Sequence, residues 1–203
     1  MKHILVTGFE PFDGQEINPS LEILKRLKDV YTNVKITKLE VPTVFRESIH
    51  FVWKKVSELN PDYVIMIGQA GGRKEISFER IAINIDDATL PDNRGNKPID
   101  ERICPHGSAA YFSTLPIKKL VAEVAKNGYP VGISNSAGTY VCNHLMFGIL
   151  HHIHKVNLPT QAGFIHVPFI HEQNTNQKYF SMSLDDLVCA IEIVIHTLVE
   201  ESI

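Results

Sequence analysis

Cysteine is scarce, tryptophan occurs once, positive charge is not in excess and no apolar run is long, and each shortage removes a class of answers. Three cysteines in 203 residues (Cys104, Cys142 and Cys189), with no CxxC pair, cannot build the disulfide framework of a small secreted domain. A reducing compartment, the cytoplasm, is therefore expected, and there a thiol stays available for chemistry. Against 23 Asp and Glu stand only 20 Lys and Arg, scattered along the chain, for a formal net charge of -3. Such a distribution draws the chain neither to nucleic acid nor to an anionic membrane. The apolar run Ile4 to Val6 is broken by Thr7, Gly8 and Glu10, too short for the core of an export signal. Nothing approaches the roughly 20 apolar residues of a membrane span.

What is present alternates between strand and helix. Lys2 to Thr7 reads as a short buried strand ending at Gly8, followed by an Asn18 cap and Pro19 opening a helix through Leu21, Leu24 and Leu27. Val34 to Val41 alternates as a strand that Pro42 stops, with Thr43 expected to cap a helix through Ile49, Val52 and Val56. Tyr63 to Ile67 has strand length and closes on the turn Gly68-Gln69-Ala70-Gly71-Gly72-Arg73; Ile76 to Ile85 reads as one further strand. Thr89 to Pro105, rich in Pro, Asp, Asn and Gly, is expected to be a long loop. A helix from Pro116 to Gly128, a strand Val131 to Ser134, a helix Val141 to His154 and a strand Gly163 to Val167 follow. The polar stretch from His171 to Tyr179 reads as irregular, and Ser183 with Asp186 as a capping box for the last helix. The pattern predicts an α/β fold: a three-layer α/β/α sandwich around a largely parallel twisted central sheet, one domain over residues 1–203. Sites in such sheets gather at the carboxyl ends of strands, and a fully parallel sheet would bring Gly8, Gly68, Ser134 and Val167 to one edge.

Among the chemical candidates, Cys142 falls in the first turn of the expected helix, where free amides and the helix dipole favour a thiolate and can hold an oxyanion. Position alone also suits a small buried hydrophobe. His166, at a strand end, is a candidate base, or equally a histidine bonded to a backbone carbonyl. Glu79 could orient that imidazole, or pair with Arg73 or Arg80; Asp92 is the competing carboxylate. The Gly68 to Arg73 turn matches no nucleotide-binding spacing, and His151, His152 and His154 lack a zinc motif, so neither a cofactor nor a metal is expected. Cys189 reads as a packing residue, and Cys104 has no nameable partner.

The segments Gly8-Phe9-Glu10-Pro11-Phe12, Asn18-Pro19-Ser20, Val41-Pro42-Thr43 and Gly68 to Arg73 precede Glu79 to Asn84 and Pro91-Asp92-Asn93. Then come Ala137 to His144 and Gly163 to Pro168. Taken together, and in this order, they resemble the pyroglutamyl peptidase I (pyrrolidone carboxyl peptidase) family of cysteine peptidases. The resemblance implies a catalytic set falling on Cys142, His166 and Glu79, and a ring pocket at Phe9, Phe12, Gln69 and Val141. It further implies peptides with an N-terminal pyroglutamate as substrates, and a homotetramer. The chain departs at Thr89, where the family usually carries Arg, and at His171, in place of Pro in a Tyr-Ile-Pro-Glu-Gln run. Readings from other classes are a cysteine hydrolase for another cyclic amide and a non-catalytic small-molecule binding protein.

Overall fold

A computed structural model describes residues 1–200; the last three positions of the expected domain lie outside the described residues. In chain order the strands and helices are β1 (Lys2–Phe9), α1 (Pro19–Arg26), β2 (Val30–Tyr31), β3 (Val34–Val41), α2 (Glu47–Leu59) and β4 (Tyr63–Gln69). Next come β5 (Ile76–Glu79), β6 (Ile81–Ile83), β7 (Ala110–Phe112), α3 (Ile117–Lys126), β8 (Val131–Ser134) and α4 (Val141–Val156). β9 (Gln161–Val167), β10 (Phe169–Ile170), β11 (Ser181–Met182) and α5 (Leu184–Glu200) complete it. None of these helices is long and apolar enough to cross a membrane.

The central sheet has the order β2-β3-β1-β4-β9-β5-β8, with β3, β1, β4 and β9 parallel. Leu5, Val64, Met66 and Phe164 point to a core shared with α2 and α4, while Ile4, Ile65, Phe78 and Ile165 point to one shared with α1, α3 and α5. Two apolar cores on opposite faces explain why the middle strands read as continuous hydrophobic runs. The α/β/α sandwich with a mostly parallel sheet is therefore as expected from the pattern.

Three local expectations fail. The single strand from Ile76 to Ile85 is two: β5 belongs to the central sheet, and after a break at Arg80, β6 pairs with β7 in a separate ribbon. Thr43 caps no helix. Its amide and hydroxyl donate to the Glu10 side chain and carbonyl, at 3.0 Å each, and α2 starts only at Glu47, after Arg46 at a φ of 65°. The sheet edge also changes, because β5 runs antiparallel to β9 and β8 follows β5. Only residues 70–75 separate β4 from β5. That is too short for the crossover of a dozen or more residues that a parallel return requires. Ser134 therefore ends level with Glu79 and Phe164, and not beside Gly68 and Val167.

Asn18 and Pro19 behave as read from the sequence, as cap and first helical position. Asn18 Oδ1 accepts from the Ser20 amide at 3.1 Å, and Ser20 Oγ accepts from the Phe9 amide at 2.9 Å. The start of α1 is thereby tied to the end of β1. The loop between Thr89 and Pro105 is irregular but held, with Ala88 bonded to Pro98 and an isolated bridge between Asp86 and Glu101.

Candidate active site

The reversal of β5 builds the site. His166 on β9 lies level with Gly68 on β4 and with Ser77 on β5. Side chains alternate along a strand, so Glu79 shares a face with Ser77 and stands diagonally across from His166. Glu79 Oε1 accepts a hydrogen bond from His166 Nδ1 at 2.7 Å, and both side chains are buried. Phe164 lies on the same face, its ring centroid 4.8 Å from that of His166. Gly68 supplies the room. A Cβ there would stand 2.7 Å from Phe164 Cζ and 2.9 Å from Cys142 Sγ, closer than real carbon contacts allow. Cys142 comes to this notch because α4 begins at Val141 and packs on the same face.

Arg73, from the glycine-rich turn, donates to Glu79 Oε1 at 2.6 Å and to the Ser136 carbonyl at 3.2 Å. Glu79 thus takes both partners that the sequence offered as alternatives, the imidazole and the Arg73 guanidinium. Burial alone would raise its carboxyl, but the hydrogen bond and charge of His166, with help from Ser134 and Arg73, hold it below the usual range. An ionised Glu79 can only accept, so the His166 proton sits on Nδ1 and Nε2 is left as the basic nitrogen. Burial pushes the His166 ring below its ordinary value; Glu79 counters that and Arg73 reinforces it.

The thiol departs from its expectation. Burial first, then the Glu79 charge, raise Cys142 to about 12, against a lowering by Arg73. Both directions, a raised thiol and a lowered imidazole, favour the uncharged forms of the two groups. The helix start itself is well placed. The first-turn amides of Val141, Cys142 and Asn143 have no acceptor within the helix, and Tyr140 provides no side-chain cap. Asn143 anchors this turn: its Oδ1 accepts from Ile83 N, and its Nδ2 donates to the carbonyls of Ile83 and Ile85.

Of the expected ring-pocket residues, Phe9 is buried and packs on Phe164 with centroids 6.3 Å apart, and Val141 is buried at the start of α4. Phe12 and Gln69 remain partly exposed, with the Phe12 ring 6.0 Å from that of Tyr140. Asp92 is not a partner of His166. It accepts from the amides of Phe45, Arg94 and Asn96 and from the Asn96 side chain, which makes it the organiser of its own loop. Glu10 joins three loops, since its Oε1 accepts from Thr43 N and from Asn93 Nδ2. Thr89 is exposed, and the cation beside the catalytic carboxylate candidate is Arg73.

Sequence reasoning missed the notch at Gly68, the anchoring by Asn143 and a second buried imidazole–carboxylate pair. His144 Nδ1 lies 2.8 Å from Asp86 Oδ2, and His144 Nε2 accepts from Arg46 N at 2.7 Å. Only Gly68 carried a signal, as a glycine directly after an apolar strand. Cys104 proves to have a partner, His151 Nε2 at 3.6 Å, whose other nitrogen meets Tyr111 Oη at 3.0 Å. Cys189 is exposed on α5.

Residues 2–201 match the sequence profile of the family described as pyroglutamyl peptidase. A pyrrolidone-carboxylate peptidase of Thermoanaerobacter sp. (strain X514) is 54% identical over 200 residues, 98% of each chain. Pyrrolidone-carboxylate peptidase 2 of Caldanaerobacter subterraneus subsp. tengcongensis is 56% identical over 198 residues, 97% of this chain and 96% of the relative. Among solved structures, the pyroglutamyl peptidase I of Bacillus amyloliquefaciens aligns with a TM-score of 0.92 at 44% identity, over 95% of this chain and 92% of that one. A mutant pyrrolidone carboxyl peptidase of Pyrococcus furiosus reaches 0.95 at 42% identity, over 99% and 100%.

Proposed function

The chain belongs to the pyroglutamyl peptidase family, and on that premise we propose that it is a cysteine exopeptidase cleaving the amide after an N-terminal pyroglutamyl residue. Two observations support this reading: Cys142 Sγ packs at the Gly68 notch, and His166, level with Gly68 in the sheet, is hydrogen-bonded to Glu79. A raised thiol and a lowered imidazole support general-base attack rather than a preformed ion pair. As Cys142 Sγ attacks the pyroglutamyl carbonyl, His166 Nε2 takes the thiol proton. The S–C bond forms, and the first-turn amides of α4 hold the oxyanion. His166 then returns the proton to the leaving amine, leaving a thioester on Cys142. Water gives a proton to His166 as it adds to the thioester; the C–S bond then breaks, pyroglutamate leaves and the proton returns from His166 to the Cys142 sulfur. Glu79 stabilises the imidazolium in both halves, and Arg73 keeps Glu79 ionised.

A pyroglutamyl terminus has no α-amine, so the site needs no anion to hold one. Its ring offers apolar faces, one N–H and one carbonyl. In this reading the partly exposed Phe12 provides an aromatic wall, the buried Phe9 and Val141 add apolar packing, and Gln69 is a polar residue at the strand end. A ring-opened glutamine would carry a charged amine into this apolar slot, and its desolvation would exclude it. The three unpaired cysteines support a reducing, cytoplasmic setting, and exposed Phe51, Phe112 and Val156 are apolar side chains that a homotetramer could cover. Neither a metal nor a cofactor enters this scheme.

Turnover of a fluorogenic pyroglutamyl amide, compared with the alanyl and glutaminyl amides, tests the reading. Hydrolysis of the first alone is expected, and a fall of a thousandfold or more, roughly, for Cys142→Ser. Equal or absent turnover on all three amides would sink it.

A further inference from the structure

Glu79 Oε1 accepts two hydrogen bonds, from His166 Nδ1 at 2.7 Å and from Arg73 Nη1 at 2.6 Å. Both of its lone pairs are thereby used. Glu79 Oε2 is buried and accepts no hydrogen bond among the described residues. A buried carboxylate oxygen left unpaired is costly, so the site calls for a donor. One stands on the next strand. Ser134, the last residue of β8, is level with Glu79 in the parallel pairing of β5 and β8. Paired strands lie about 4.8 Å apart, and residues level across them share a face. Phe78, the neighbour of Glu79, packs in the opposite core, so Glu79 and Ser134 face the core that Cys142 joins. The Ser134 hydroxyl has one proton to give. Its Oγ lies 3.0 Å from the Ser136 carbonyl, which already accepts from Arg73 at 3.2 Å. That hydroxyl is also close enough to Glu79 to be among the groups that hold its carboxyl low. A hydrogen bond to a carboxylate is roughly twice as strong as one to a neutral carbonyl.

We propose that Ser134 is a positioning residue for the peptidase reaction: its hydroxyl donates to Glu79 Oε2 and fixes the carboxylate whose Oε1 orients His166. The inference rests on the function proposed above and adds a fourth member to its hydrogen-bond chain. With Oε1 held by His166 and Arg73 and Oε2 by Ser134, the carboxylate cannot rotate away as charge builds on the imidazole. Ser134 Oγ still accepts from the Ser136 amide, at 3.3 Å, while its proton points to Glu79. Because Ser134 acts through Glu79, its effect falls on kcat rather than on KM.

Steady-state kinetics on the pyroglutamyl amide would be measured for the unmodified protein, Ser134→Ala, Glu79→Gln and the double variant. Ser134→Ala should lower kcat on the order of tenfold with KM within about twofold, the effect of one lost hydrogen bond to a charged group. Ser134→Thr, which keeps the hydroxyl, should restore kcat to within about twofold of the unmodified protein. In Glu79→Gln the amide oxygen stays with His166 and Arg73, so the NH2 group takes the Oε2 position and needs no donor. Ser134→Ala should therefore cost nothing further in that background. A serine that served only its turn at Ser136 would instead act equally in both backgrounds. If Ser134→Ala does not fold, Ser134→Thr against Ser134→Val, alike in shape and different in the hydroxyl, makes the same comparison. An unchanged kcat in the folded variant, as when water serves Oε2, or factors that multiply in the double variant, would overturn the inference and leave the function standing. An unmodified protein that cleaves no pyroglutamyl amide overturns the function itself, and with it this reading.

Discussion

Cys142 lies where a helix start favours a thiolate, yet burial and the Glu79 carboxylate hold it protonated, to about 12. The proposed chemistry then turns on His166 being neutral. Its lowered ring places the acid limb of kcat/KM below pH 6.5, the ordinary histidine value. Two substitutions should move that limb in opposite directions. Arg73 lowers the His166 ring, so Arg73→Met should shift the limb to higher pH. Glu79 raises it, so Glu79→Gln should shift the limb to lower pH while kcat falls by roughly a hundredfold or more through loss of imidazolium stabilisation. Profiles in which both variants move the same way would reject this charge arrangement. Gly68 belongs to the same scale. Gly68→Ala sets a methyl against Phe164 and the sulfur, so activity should fall on the order of a hundredfold in a protein that still folds, since about 1 Å of misplacement at a reacting group has that effect.

At the scale of elements, β5 decides which carboxylate meets the imidazole. The short turn after Gln69 sends β5 back antiparallel, and that direction puts Glu79, rather than Asp92, diagonal to His166. The alternation of β5 is readable from the sequence, but its direction is not, because both directions bury the same apolar positions. The start of α4 depends on Asn143, a polar side chain that makes three hydrogen bonds to the β6 segment from a fully buried position. Asn143→Ala leaves those backbone groups without partners. Stability should drop by roughly 1–3 kcal/mol per unsatisfied group, read as a lower urea midpoint at unchanged m-value. Nothing in the local sequence pointed to this, since Asn143 lies within a helix turn and its partners are 58 and 60 residues away.

For the whole molecule, the lowered groups set a pH dependence of stability. His166, His151 and His152 are held below 6.5 chiefly by burial. The unfolded chain binds protons at these rings before the folded one does, so stability is complete above pH 6.5 and declines as pH falls below it. Glu79 and Asp92 are held below their ordinary 4.5 and 3.8, so what they contribute is present above those values and lost as pH falls through the folded ones. Urea midpoints should therefore fall in two stages, first below pH 6.5 and again below about pH 4. Asp92→Asn should flatten the second stage and leave the first in place. A midpoint constant from pH 7.5 to 4.5 would refute the imidazole contribution.

Some of this was determined by the sequence alone. The layered α/β pattern and the Asn18 cap follow from short-range periodicity and turn residues, and the candidate set of Cys142, His166 and Glu79 from family motifs. Those signals span a few residues or repeat in a set order, so a linear reading reaches them. Tertiary structure alone decided the direction of β5, the attachment of Arg73 to Glu79 and the notch at Gly68. It also decided the burial that raises the thiol. The cause is common to all of these. A hydrogen bond across 87 residues, or the loss of water around a sulfur, depends on which surfaces meet, and that is set only when the whole sheet is assembled.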